Sequence, residues 1–401
     1  MFADVIAVLF WFCVALIVYA YAGYPILLAL FARLRPAPGP YPNETPSVTL
    51  LIAAHNEQGV IASKLDNCFL LDYPRAQLEI LVTDDGSDDR TAEIVRSYAD
   101  RGVVLASSNE RRGKMAAIVR ALPSARGDII LLSDANNFYE AMTLRVLTAP
   151  FADPTIGAVV GTKAIIQGDG ALGESEGLYW RYESFVKMQE TRLGCCVGVT
   201  GEILAIRREL FEAPPAGIVT EDTYMALRLI RRGHRVVYEP QARSWERISI
   251  SAQDEIARRA RIFAGRYQVL ARAFQLTPFT RPVTAWSVIS HQFVRTLIGP
   301  AMIGAFVTNL LAVLFPVTAE NYPLLRLAIP FNYILMACQI LFYALAWLGG
   351  RVEGKSKLGK ALYLPTFLVN SNIAGLIGLK RFLMGRQSVL WDRVARRSET
   401  K

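Results

Sequence analysis

Hydrophobic and polar residues alternate along this chain in two rhythms. Four windows carry no Asp, Glu, Lys or Arg: Val5 to Ala32, Thr296 to Ala319, Leu327 to Gly350 and Ala361 to Leu379. A membrane-spanning helix needs about 20 mostly apolar residues, so the first three windows are long enough to cross a bilayer and the fourth lies at the limit. From Ser47 to about Arg281 no window has that character. There the pattern changes to short apolar runs separated by amphipathic stretches of helix length. Val48 to Ala54, Leu78 to Thr83 and Ile129 to Ser133 are nearly continuous apolar runs, each ended by polar residues. Runs of that length predict strands buried on both faces, and the spacing predicts a mainly parallel sheet covered by helices. The expected fold class is α/β: a Rossmann-like sheet with helices on both faces, in a water-facing domain tied to α-helical transmembrane segments.

Composition agrees: 52% apolar and 20% charged residues exclude a disordered chain and a purely soluble enzyme. The expected organisation is a transmembrane helix at 1–35, a Pro-rich linker at 36–46, a catalytic domain at 47–250 and amphipathic interfacial helices at 251–295. Two transmembrane helices follow at 296–350, then a re-entrant, interfacial or transmembrane segment at 361–385 and a basic cytosolic tail at 386–401. Asn370, Ser371 and Asn372 at the centre of the fourth window suit a protein-lined or wet surface better than lipid.

The charge balance of +9 matters by position. Arg33 and Arg35 close the first window; Arg351, Lys355, Lys357 and Lys360 follow the third; Lys380, Arg381 and Arg386 follow the fourth. Basic residues belong on cytoplasmic flanks, so the reading is a multi-pass plasma-membrane protein with its N-terminus outside and its catalytic domain in the cytoplasm. Membrane edges account for the basic excess without nucleic acid. The five cysteines show no Cys-x-x-Cys spacing, so no structural zinc is expected.

In open α/β sheets ligands bind beyond the carboxyl ends of the strands. Here those ends read His55-Asn56-Glu57, Asp84-Asp85-Gly86-Ser87 and Asp134-Ala135-Asn136-Asn137. Capping of the next helix accounts for Asp88 and Asp89 but not for Asp84 and Asp85. Two such carboxylates can accept from a nucleobase imide and from sugar hydroxyls. Asp134 and Asn136 have the i, i+2 spacing that sends two oxygens the same way, as a hard divalent cation on a diphosphate requires. No Gly-x-Gly-x-x-Gly follows the first strand and no P-loop occurs.

The order of these motifs, continued by Gly113-Lys114, Gly201-Glu202, Thr220-Glu221-Asp222 and Arg258-Arg259-Ala260-Arg261, resembles the membrane-bound family 2 glycosyltransferases. Those are inverting GT-A enzymes that include cellulose, chitin and hyaluronan synthases and ceramide glucosyltransferase. The resemblance covers roughly Pro46 to Ala273 and implies specific roles. Ala53, Glu57, Asp84 and Asp85 would hold the uridine of a UDP-sugar, and Lys114 would approach its diphosphate or ribose. Asp134 and Asn136 would bind Mg2+ or Mn2+. Asp222, with Glu221 beside it, would be the general base, and Gly201 and Glu202 would line the acceptor side. Arg258 and Arg261 would face the donor. Two departures stand out: the second acidic motif ends in Asn136 where the family has Asp, and Arg258 and Ile262 replace the Gln and Trp of Gln-x-x-Arg-Trp, which weighs against extrusion of a long polymer.

Read from the residues themselves, the stretch Ala252 to Phe274 is a basic amphipathic helix suited to anionic lipid. Trp180 is a candidate sugar platform, and His234 and His291 are not required by this chemistry. Three functions fit: transfer to a growing glycan, transfer to a ceramide- or polyprenyl-type lipid at the inner leaflet, or a non-catalytic nucleotide-sugar-binding subunit of an export channel. Three spans make a thin pore, so export would need a homo-oligomer or a partner machine.

Overall fold

The computed structural model describes residues 1–36, 39–165, 170–246, 252–351, 357–388 and 390. Most of the basic tail expected at 386–401 lies outside them. Eight strands form one sheet: β1 (Val48–Ala54), β2 (Leu78–Asp85), β3 (Val103–Ser108), β4 (Ile129–Asp134), β5 (Phe138–Tyr139), β6 (Ile156–Ile165), β7 (Leu204–Arg207) and β8 (Arg235–Glu246). Their order is β3-β2-β1-β4-β7-β6-β8-β5. The first four are mutually parallel, β7 runs antiparallel between β4 and β6, and β8 returns parallel to β6. The sheet is therefore mixed.

The apolar runs behave as their pattern requires. Along β1, Leu51 and Ala53 enter one core, while Leu50, Ile52 and Ala54 enter the other. Helices Lys114–Ala121 and Glu221–Arg231 cover the first face and helices Ile61–Phe69 and Thr143–Thr148 the second. Each fully buried Leu or Ile contributes roughly 1.5–3 kcal/mol, enough to fix the strand register. In that register Ala53 is the neighbour of Thr83 on one side and Asp134 on the other. The polar ends of β1, β2 and β4 thus share one rim.

Among the described residues, three helices are long and apolar enough to cross a membrane: Phe2–Arg33, Pro282–Leu314 and Phe331–Gly349. The second begins earlier than its charge-free window because Arg295, which interrupts the sequence pattern, is buried in an ion pair with Glu183. The fourth window lies in a helix, Lys357–Leu383, that continues through Pro365 without the break a re-entrant hairpin needs. It packs along helix Ala252–Leu270, whose Ala260 and Ala264 are fully buried, so the apolar face expected on lipid is covered by protein. Contact is closest at Gly378, where an added Cβ would stand 2.6 Å from Phe263 Cβ and 2.8 Å from the Ala260 carbonyl oxygen. The rings of Tyr267 and Phe382 stack one turn further on.

Helix Gly170–Arg192 docks the sheet domain onto the apolar helices. Its Glu190, fully buried, accepts from Tyr24 Oη at 2.7 Å and meets His291 Nδ1 at 2.7 Å. Glu183, two helical turns earlier, faces His291 Nε2 at 3.3 Å and pairs with Arg295. The histidine that the sequence left without a role is the centre of this seam.

Replacing Gly378 by Leu should force the two packed helices apart. Overpacking of this kind costs about 1–3 kcal/mol, and the expected outcome is a lower melting temperature in detergent than that of Gly378→Ala.

Candidate functional site

A cavity of about 1240 Å³ opens at the rim and runs down to the apolar helices. Ala53 and Glu57 line it from the end of β1, and Asp134 and Asn136 from the end of β4. Lys114 enters from the start of its helix and pairs with Asp134. Burial draws the Lys114 pKa down, yet Asp134 outweighs it and holds the ammonium above its ordinary value. Gly113, with φ of +98°, makes the turn that starts this helix.

Opposite stand Glu221 and Asp222, the first residues of helix Glu221–Arg231. Asp222 Oδ1 accepts from the Thr223 amide at 2.7 Å. An added Cβ on Gly201 would lie 3.3 Å from Asp222 Cβ and Oδ2, a tight contact, so glycine lets this loop back the carboxylate closely. Burial raises the Asp222 pKa, and burial, reinforced by Asp222, pushes Glu221 up to about 7. Helix Ala252–Leu270 presses on the same turn, since a Cβ on Gly265 would stand 2.8 Å from the Thr220 amide.

Asp84 and Asp85 differ from the expectation of direct contact with a ligand: neither lines the cavity. Asp85 accepts from the Arg112 and Gly113 amides at 3.0 and 2.7 Å. Asp84 accepts from Ser107 Oγ at 3.0 Å and also from Ser87. Buried carboxylates take whatever backbone donors are near, and here the 108–113 loop crosses directly over Gly86. The pair fixes that loop and, through Gly113, the position of Lys114. Asp89 bonds the Thr91 amide at 2.8 Å, in keeping with a capping role.

On the far wall Trp180, Gly201 and Glu202 line the cavity together. Lys163 bridges Glu202, at 2.8 Å, and Glu246, and its Nζ lies 5.7 Å from the Trp180 ring centre. Arg258 and Arg261 also line the cavity, but Arg258 is held by Glu255 at 2.7 Å. Glu255 has its pKa brought down to about 2, since its two arginine neighbours outweigh the opposing effect of burial.

Sequence reasoning passed over several residues that shape this site. Fully buried Asn137 donates to the Glu202 carbonyl at 2.8 Å and accepts from Lys64 Nζ at 3.1 Å, tying the end of β4 to the wall that carries Glu202. Burial lowers the Lys64 pKa to about 8. Lone charges inside apolar strand or helix patterns were the available signal for Lys64, Lys163 and Arg295. Ser371 and Asn372, which the sequence did single out as suited to a protein-lined or wet surface, line the cavity, where Ser371 Oγ accepts from Arg259 at 2.6 Å.

Among the described residues, six buried polar atoms without a protein partner line this cavity: Asn136 Oδ1, Trp180 Nε1, Thr200 Oγ1, Glu202 Oε1, Thr220 Oγ1 and Gln387 Oε1. Native folds leave few such atoms, and their convergence marks a place where a polar ligand completes the bonding. Among the described residues no group of three or more His, Cys, Asp or Glu could hold a metal alone. A cation here would rest on Asp134, Asn136 and ligand oxygens, and the partnerless Asn136 Oδ1 fits that set.

The chain is 26% identical over 261 residues to the poly-beta-1,6-N-acetyl-D-glucosamine synthase of Staphylococcus aureus (strain MSSA476), covering 64% of this chain and 63% of that one. It is 29% identical over 225 residues to the probable glycosyltransferase YdaM of Bacillus subtilis (strain 168), 51% of each chain. It thus spans less than two thirds of the length of either relative. Among solved structures, the mannosyltransferase PcManGT from Pyrobaculum calidifontis, in complex with GDP-Man and Mn2+, shares the fold with a TM-score of 0.70 at 23% identity, over 94% of this chain and 99% of that one. The family model described as glycosyltransferase like family 2 matches residues 46–265, more than half of the chain and the whole rim just described, and the chain belongs to that family.

Proposed function

We propose that this protein transfers a sugar, with inversion, from a nucleoside diphosphate sugar of the UDP class to a hydroxyl of a growing glycan at a membrane surface. The observation that carries the reading is the cavity itself: a raised-pKa carboxylate pair on one wall, Lys114 with Asp134 and Asn136 on the other, and partnerless polar atoms between them. A single displacement at the anomeric carbon requires a base on the acceptor side and charge stabilisation on the leaving side. In this reading Asp222 takes the acceptor proton as the acceptor oxygen attacks; the bond to the diphosphate breaks and the nucleoside diphosphate leaves. Burial makes Asp222 a stronger base than a solvated aspartate, and Gly201 and the Thr223 amide keep it oriented. Asp134 and Asn136 would hold Mg2+ or Mn2+, which when bound neutralises charge on the departing diphosphate. Lys114 adds a fixed positive charge, Asp84 and Asp85 act by holding its loop, and Trp180 and Glu202 bind the acceptor.

The second reading, a lipid acceptor, draws on the lower end of the cavity, which Tyr21, Ile298 and Phe367 line from helices that meet the bilayer. Basic flanks favour a cytoplasmic catalytic domain and an outside N-terminus in both readings.

Asp222→Asn should lower sugar transfer by about 10²–10⁴-fold, the usual worth of a positioned base, with UDP affinity retained. UDP release from a panel of UDP-sugars, read beside UDP binding, checks this, and near-normal turnover would remove Asp222 from the role. Glu221 keeps its proton up to about pH 7, so kcat/KM should rise with pH through a midpoint near 7 as the Glu221–Asp222 pair ionises. Glu221→Gln removes one of two neighbouring negative charges, and the midpoint should move to lower pH. A rising limb confined below pH 5 in the unmodified enzyme would contradict the assignment.

A further inference from the structure

Segments 195–200 and 211–220 form neither helix nor strand, yet the first leads into Gly201 and the second into Glu221 and Asp222. Backbone groups in such segments need partners that no helix or ladder supplies. Gln268, buried on helix Ala252–Leu270, meets both kinds of group: its Oε1 accepts from the Val219 amide at 3.0 Å and its Nε2 donates to the Gly217 carbonyl at 2.7 Å. Gln292, buried on the apolar helix Pro282–Leu314, donates from Nε2 to the Val197 carbonyl at 2.8 Å. Glu190 takes the Val197 amide from the other side at 3.0 Å. Neither glutamine lines the cavity itself.

The two holds belong to one frame. Tyr267, next to Gln268, donates from Oη to the Thr296 carbonyl at 3.0 Å, and Thr296 Oγ1 donates to the Gln292 carbonyl at 2.6 Å. Gln292 lies in a π-helical stretch, Val288–Val294, and π turns recur at functional sites. Neighbouring His291 closes on the same loop, where its Cε1 would stand 2.8 Å from a Cβ on Gly198. Between the two held segments Asp222 rests against Gly201. A neutral amide suits this task, because it offers a donor and an acceptor on one planar group and brings no charge beside Glu221 and Asp222.

We propose that Gln268 and Gln292 are positioning residues for the general base, an inference that rests on the reading of Asp222 given above. Gln268 fixes the segment that enters the helix bearing Asp222, and Gln292 fixes the loop that backs the carboxylate through Gly201. Asp222 thus takes its place from the way the sheet domain is seated on the apolar helices. Lys114, Asp134 and Asn136 are set independently, by the Asp85-held loop and the end of β4, so loss of either glutamine displaces the base and leaves the donor side as it was. A base misplaced by about 1 Å loses on the order of 10²-fold in rate.

The test compares the full chain in detergent with Gln268→Met and Gln292→Met, which keep side-chain length and lose the amide. Each should lower kcat for UDP release from the UDP-sugar that the wild type turns over by at least about tenfold, with KM for that donor and UDP affinity unchanged. Backbone amide exchange should rise across 215–221 in the first variant and across 195–203 in the second. Tyr24→Phe is the stability control: it takes one hydrogen bond from Glu190 and none from the Val197 loop, so it should lower the melting temperature and leave kcat unchanged. Where a methionine variant does not fold, Gln268→Asn and Gln292→Asn, polar but one methylene short, carry the same expectations. Wild-type kcat, a raised KM with kcat intact, unchanged exchange, or an equal loss of kcat in Tyr24→Phe would overturn the positioning role. Near-normal turnover by Asp222→Asn would instead remove the base reading, and the exchange data, which need no turnover, separate that failure from a failure of the two glutamine clamps.

Discussion

Everything in this molecule is hung on a buried ionic seam. Glu183 and Glu190 project from one face of a helix belonging to the sheet domain, and His291 and Arg295 answer them from an apolar helix. Removing one member of such a pair typically costs 3–5 kcal/mol, since the remaining charge stays buried and uncompensated. The seam also reaches into the site. The Val197 amide donates to Glu190 at 3.0 Å and its carbonyl accepts from Gln292 at 2.8 Å, while His291 Cε1 would stand 2.8 Å from a Cβ on Gly198. Three residues later the same strand of chain supplies Gly201, against which Asp222 rests. The apolar helices and the wall that carries Asp222 are thereby one mechanical unit.

Opposed electrostatics organise the cavity above that seam. Along one wall burial makes the Glu221 and Asp222 carboxylates basic, outweighing the pull of Lys114. Across from them Lys114 and Asp134 neutralise each other until a ligand separates them. Towards the apolar helices the lining turns to arginines, among them Arg261, Arg266 and Arg381. In the function proposed above, this gradient would turn the sugar of a glycosyl donor to the base and its diphosphate away from it.

Much of the fold was legible because its physics is local. Strands β1, β2 and β4 announce themselves as unbroken apolar runs, and a strand buried on both faces has no other composition available. Glycine at 113 and 201 and the carboxylates at 134, 221 and 222 could be singled out because chemistry at strand ends and helix starts demands those side chains. Asp84 and Asp85 show the limit: their place in the chain gave their type but not their direction, which the 108–113 loop decides by offering its amides. Lys163 and Glu246 escaped notice because their partners lie far away in sequence.

Sequence by itself determined the division into membrane-compatible helices and a sheet domain, the positions of the polar rim and the family's order of motifs, since each depends on residues within a few positions of one another. Only the tertiary structure decided that the fourth apolar window is a continuous helix sealed against Ala260 and Ala264, and that Arg295 belongs inside an apolar helix, paired with Glu183. Those outcomes depend on which distant side chain arrives opposite each charge or glycine, and hydrophobic period carries no record of that.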